Sequence, residues 1–177
     1  PPGAGGKAEA GGTKKLAGKR GGAIITTNKF DDFEFYWEWR LEPKAINGIK
    51  YLVTEARPGA PGHEYQMIDD LAGEDIGAPK RLTASFYDVL PPSPNKPLKP
   101  PGEVNHSRVL VKGNHVEHWL NGEKVIEYEL GSPEVLAAVQ KSKFKSVPGF
   151  ATAIKGHILL TDHHDEASFQ NIKIKVP

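Results

Sequence analysis

Alternation is the strongest pattern in the chain. Phe33, Phe35, Trp37, Trp39 and Leu41 fall on one parity, while Glu34, Tyr36, Glu38 and Arg40 fall on the other. A period of two gives one core face and one wet face, so residues 32–41 are predicted to form a strand. Other β-patterned runs lie at 23–27, 48–54, 64–69, 82–89, 108–111, 115–120, 124–130, 154–160 and 169–176. Turn residues divide them. Pro58–Gly62 reads as a loop, and Gly113-Asn114 and Asn121-Gly122 read as hairpin turns. Residues 70–81 read as loop with a helical turn at most. Six prolines between Pro91 and Gly102 predict an irregular surface connection, because proline has no N–H to give to a ladder.

One segment carries helix signals. Ser132 fits an N-cap, Pro133 the first helical position and Glu134 the positive end of the helix, which predicts a helix over 132–140. Many short strands, long loops and a single helix predict an all-β fold, an antiparallel two-sheet jelly-roll sandwich. Residues 1–22 are mostly Gly, Ala, Lys and Pro, with Leu16 the one large apolar residue. Such a stretch buries too little surface to offset its ordering entropy. It reads as a flexible leader or linker, with a single domain over 23–177.

Composition narrows the function. The chain has 177 residues and 38% hydrophobic content, enough for one domain with a substantial core. Its 23 basic and 22 acidic residues leave a formal charge of +1, with no basic block to attract nucleic acid. Cysteine is absent, which excludes disulfides, cysteine-zinc sites and a thiol nucleophile. No apolar run reaches the roughly 20 residues that span a membrane. The chain contains no phosphate-loop, dinucleotide-binding or nucleophile-elbow motif.

The candidate chemistry is a set of polar residues at strand spacing. Asp162-His163-His164-Asp165-Glu166 is the densest cluster of titratable groups, placed where one strand ends and another begins. Histidine and carboxylates together leave room for a divalent cation, although the spacing selects no metal; the plain reading is a solvated turn. Glu38 and Arg40 lie on a wet strand face, Lys50 sits between Ile49 and Tyr51, and Glu64 and Gln66 share a parity. His118 shares its parity with Val116 and Leu120, the pattern of a half-buried core histidine. The tryptophans are most simply core. If the strands are neighbours, Lys50, Glu64, Gln66 and His163 meet on one sheet face, a lining that suits a sugar's hydroxyls.

These residues, in order, resemble the 3-keto-disaccharide hydrolase domain family. The likeness runs through Phe30–Phe35, Glu38-Trp39-Arg40, Gly48–Tyr51, Glu64–Asp70, Ser85–Asp88, Pro101–Asn105, His118–Gly122, Gly156–Leu160, Asp162-His163 and Phe169–Ile174. It implies a concanavalin A-like sandwich, an exported bacterial protein in the periplasm or outside the cell, and a carbohydrate or glycoside ligand. It also implies cleavage of a glycoside already oxidised at C3, by base-initiated elimination and then hydration. Carried over by position, His163 or Glu64 is the base, and Lys50 and Arg40 hold the keto or enolate oxygen. Gln66 and Asp69 hold hydroxyls, and His118 and Asp162 complete the substrate-binding set. The chain departs from the family at Ile46-Asn47-Gly48 (usually Asn-Ser-Gly), Thr161–His164 (usually Gln-Asp-His-Gly) and Phe169-Gln170-Asn171 (usually Phe-Arg-Asn). Each departure removes a polar group that a site could use. A noncatalytic carbohydrate-binding module on the same fold, or a structural domain, are the alternatives.

Overall fold

The structure, a computed structural model, describes residues 22–177 apart from Gly73, Glu74 and Ile76, together with the backbone strands β1 (Lys7–Ala8) and β2 (Lys14–Leu16). The strands that follow are β3 (Ile24–Ile25), β4 (Phe33–Leu41), β5 (Ile46–Val53), β6 (His63–Ile68), β7 (Asn105–Lys112), β8 (His115–Leu120), β9 (Glu123–Glu129), β10 (His157–Leu160) and β11 (Ala167–Lys175). They form two antiparallel sheets. One has the order β1-β2-β11-β4-β7-β8-β9 and the other β3-β10-β5-β6. This is the expected sandwich. Most of residues 1–22, expected as a leader, lies outside the described residues, but the Lys14–Leu16 backbone pairs with β11 at Ala167–Phe169.

The parity of β4 decides how the sheets pack. Phe33, Phe35, Trp37, Trp39 and Leu41 are all buried and face the smaller sheet. Across the gap stand Ile49, Tyr51, Tyr65 and Met67, and the Trp37 indole donates to Met67 Sδ at 3.3 Å. The other parity of β4, including Arg40, therefore faces away on the outside of the larger sheet. The β8–β9 turn has φ of 48° at Asn121 and 88° at Gly122, which the Asn-Gly pair tolerates better than any other two residues. Helix α1 (Pro133–Gln140) starts as expected, with Ser132 Oγ accepting from Val135 N at 3.3 Å.

Two expectations fail. Residues 82–89 are not a continuous strand, because Ala84 and Asp88 take φ of 68° and 61° and break the extended run. The segment still hydrogen-bonds along β6, with Ala84 N donating to Gln66 O at 2.8 Å and Tyr87 N to Glu64 O at 3.0 Å. Trp119 is not core. It lies on the outer face of the larger sheet with the Arg108 guanidinium 4.1 Å above its ring.

Candidate functional site

The outer face of the smaller sheet carries a polar patch. β5 and β6 pair Lys50 with Glu64 and Gly48 with Gln66. Because residues 83–87 run along β6, with Tyr65 bridged to Phe86, Tyr87 lies beside Glu64 and Ser85 beside Gln66. Two rows result: Lys50–Glu64–Tyr87 and Gly48–Gln66–Ser85. Side chains of this parity point away from the inter-sheet core that holds Tyr65 and Phe86, but Gln66 and Ser85 are themselves buried, so Lys50 and Tyr87 are the members of the two rows that reach solvent.

Glu64 is the centre. Its side chain is 6% exposed, and its carboxylate folds over Gly48. His163 reaches it from the β10–β11 loop, with Nε2 3.9 Å from Oε1 and a side chain 41% exposed. The rest of the 162–166 cluster fastens this loop. Asp162 accepts from Gly22 N at 2.7 Å and His164 N at 2.8 Å, and Asp165 accepts from Ile46 N at 2.9 Å. Thr161 Oγ1 donates to Asn47 Oδ1 at 3.1 Å, tying the loop to β5. So Lys50, Glu64, Gln66 and His163 lie on one sheet face, and Asp162 fastens the loop that carries His163.

Three predicted residues lie elsewhere. Arg40 is on the outer face of the opposite sheet: alternation gave its face but not which sheet owned it. His118 is fully buried between the sheets, where Nδ1 is 2.9 Å from Ala84 O and Nε2 2.7 Å from the Tyr51 hydroxyl. Burial pushes it down to about 4, with the Ala84 contact opposing. Asp69 is a turn residue whose oxygens accept from Lys44 N and Leu71 N. It borders a separate cavity of about 260 Å³ among Trp39, Leu98 and Pro100, which none of Lys50, Glu64, Gln66 or His163 lines.

Sequence reasoning missed Lys143 and Tyr87. Lys143 lies just after α1, and its backbone N–H donates to Asp88 Oδ2 at 2.7 Å. Its ammonium sits 4.2 Å from the Tyr87 ring centroid. Partial desolvation holds the Lys143 amine below its usual range; Glu64 opposes this, Lys50 adds to it, and Asp88 and Arg81 pull in opposite directions. Tyr87 is pushed up to about 12, first by desolvation and then by Asp75, with Glu64 and Asp88 adding to it and Arg81 opposing. No periodic pattern covers residues 141–152, and so nothing in the sequence marked Lys143.

Among the described residues, one group has metal-ligand spacing. Ligand atoms of His115, Glu117 and Glu127 lie within 4.8 Å of one another. They are on the larger sheet, away from Glu64, and Lys124 Nζ already bridges the two carboxylates.

The comparisons agree with this architecture. The chain is 32% identical to a 3-keto-disaccharide hydrolase of Bacteroides thetaiotaomicron over 88% of its own length, and it spans 62% of that protein. A crystal structure from Parabacteroides distasonis, solved as that of a candidate glycosyl hydrolase, superposes with a TM-score of 0.84 at 30% identity, covering 97% of this chain and 82% of that one. The carbohydrate-binding module CBM66 of Bacillus subtilis shares the fold alone, at 11% identity and a TM-score of 0.56 over 95% of this chain and 81% of that one. Residues 3–175 match the family described as the 3-keto-alpha-glucoside-1,2-lyase-like domain, and the chain belongs to it.

Proposed function

We propose that this chain is a glycoside-cleaving enzyme that acts on a 3-keto-glycoside by elimination followed by hydration. One observation carries the reading: Lys50, Glu64 and Tyr87 form a cross-strand row on an outer sheet face, and His163 stands over it 3.9 Å from Glu64. A ketone at C3 acidifies the C2 proton. His163 is the exposed partner of the pair and takes that proton, while the nearly buried Glu64 carboxylate stabilises the resulting imidazolium. Lys50 faces the developing enolate oxygen as a cation. The enolate then expels the C1 oxygen, His163 returns its proton to the leaving group, and water adds at C1 of the unsaturated sugar. One base beside a cation suits this chemistry better than the two spaced carboxylates of ordinary glycosidases.

Gln66 supports the lining beside Glu64. An exported location goes with this reading and is checked by fractionating the native host. The experiment that tests the function is turnover of methyl 3-keto-α-glucoside by the pure protein. His163→Ala and Glu64→Gln are each expected to lower kcat by about 10²–10⁴. Tight binding of the sugar without turnover in the unmutated protein overturns the enzyme reading in favour of a binding module.

A further inference from the structure

We propose that Lys143 is a covalent catalytic residue of this site, whose amine condenses with the C3 ketone of the substrate to form a ketimine. This rests on the 3-keto-glycoside reading above, and it assigns the electron sink of the reaction to a side chain that the sequence did not suggest.

The placement carries the argument. Lys143 keeps solvent-exposed surface, so a substrate can reach it. Its ammonium lies against an aromatic ring, 4.2 Å from the Tyr87 centroid and 5.2 Å from that of Phe144, and has no carboxylate within ion-pair distance among the described residues. Tyr87 is in the same row as Glu64 and Lys50, so the amine belongs to the face where the proton would be removed. A lysine becomes nucleophilic when it is partly desolvated, and its place against the Tyr87 and Phe144 rings desolvates Lys143 in part.

Its backbone is held in place. Asp88 is buried and takes a left-handed φ of 61°. Arg81 Nε donates to its Oδ1 at 2.8 Å, and its Oδ2 accepts from Lys143 N at 2.7 Å. Strained, buried residues of this kind cluster where structure positions chemistry. Asp88 is the positioning residue.

The step balances. The Lys143 ammonium gives up one proton, the neutral amine attacks C3, and that proton returns as one water leaves to give a protonated ketimine. His163 takes the C2 proton, giving an enamine. The enamine pushes out the C1 oxygen, which receives that proton and departs as the alcohol, leaving a conjugated iminium. One water adds at C1, with a proton returning to C2, and a second hydrolyses the iminium, restoring Lys143 and releasing the 3-keto sugar. No oxidant or reductant is consumed.

The test is trapping. The full chain is incubated with methyl 3-keto-α-glucoside and sodium cyanoborohydride, which reduces iminium ions in preference to ketones, and its peptides are analysed by mass spectrometry. The expected result is a sugar adduct concentrated on Lys143, absent with unoxidised methyl α-glucoside. Lys143→Arg, which keeps the charge, is expected to lower kcat more than about a hundredfold with little change in KM. Asp88→Asn is expected to slow trapping at Lys143. Turnover without an adduct at Lys143, or full activity in Lys143→Arg, overturns the covalent step and leaves the elimination reading standing. An adduct without turnover leaves the amine assigned and overturns the elimination reading. Neither adduct nor turnover overturns both.

Discussion

The Glu64 carboxylate occupies the space above Gly48: a Cβ built on Gly48 would stand 3.0 Å from the Glu64 carboxyl carbon and closer still to Oε1. The two residues are diagonal neighbours on the β5–β6 ladder, where Gly48 pairs with Gln66 and Glu64 with Lys50. A missing side chain on one strand is thus what lets a carboxylate lie flat on the other.

Gly48→Ala is expected to displace that carboxylate. Because overpacking at a tight contact costs about 1–3 kcal/mol, the substitution should destabilise the protein by that amount in urea unfolding. In a Glu64→Ala background the cost should nearly vanish, because the clashing atoms are gone. Equal costs in both backgrounds would show that the contact is not what requires glycine here. Turnover should fall with Gly48→Ala alone, through loss of the Glu64–His163 geometry.

His63 offers a test in the opposite direction. It is fully buried, and neither ring nitrogen has a hydrogen-bond partner among the described residues. Tyr51, Phe86 and Phe150 surround it with ring centroids at 5.5, 4.8 and 5.1 Å. An unsatisfied buried imidazole forfeits hydration without compensation, and an apolar side chain of similar volume does not. His63→Leu should therefore raise stability by about 1–2 kcal/mol. A loss of stability would mean that an unseen partner satisfies the ring.

How far the fold and the site can be read from sequence follows from what periodicity encodes. The β4 alternation, the Asn121-Gly122 turn and the Ser132-Pro133 helix start are local, and all three are found in place. Periodicity assigns a residue to a face but cannot say which sheet that face belongs to, which is why Arg40 was grouped with Lys50. His118 shares the parity of Val116 and Leu120, and that signal pointed correctly to the core while the family likeness pointed to the site. Lys143 and Tyr87 lie on irregular segments whose course depends on long-range contacts such as Asp88 to Lys143. Ala84, left-handed without being glycine, carries no turn signature, and Asp88 is a single turn-favouring residue inside an otherwise strand-like run.

The hydrogen-bond chain through Tyr51 fixes a tautomer and predicts a cost. Ala84 O can only accept, so His118 Nδ1 carries the proton and Nε2 accepts from the Tyr51 hydroxyl, 2.7 Å away. The Tyr51 oxygen then accepts from the Tyr128 hydroxyl at 2.6 Å. Tyr51→Phe leaves a buried imidazole nitrogen and a buried hydroxyl unpaired, and should cost about 2–4 kcal/mol in urea unfolding. Tyr128→Phe leaves His118 satisfied and should cost less. The reverse order would contradict this direction of donation.

Acid should destabilise the protein chiefly through its two fully buried histidines, His63 and His118. Burial pushes His63 down to about 3, with Arg57 and His118 adding to the shift, and His118 down to about 4. In the unfolded chain both titrate near 6.5. Between these limits the unfolded state binds more protons than the folded one, so stability rises with pH across the window and falls as pH drops below about 6.5. At pH 5 each ring stays neutral in the fold while the unfolded ring is protonated, a loss of about 2 kcal/mol per histidine relative to pH 7. Urea unfolding at pH 7 and pH 5 measures this directly. His63→Leu should remove about half of the histidine-linked loss and leave the pH 7 ranking unchanged. If the variant loses as much stability as the unmutated protein, His63 is already protonated in the fold, and the dry aromatic pocket around it is not as described.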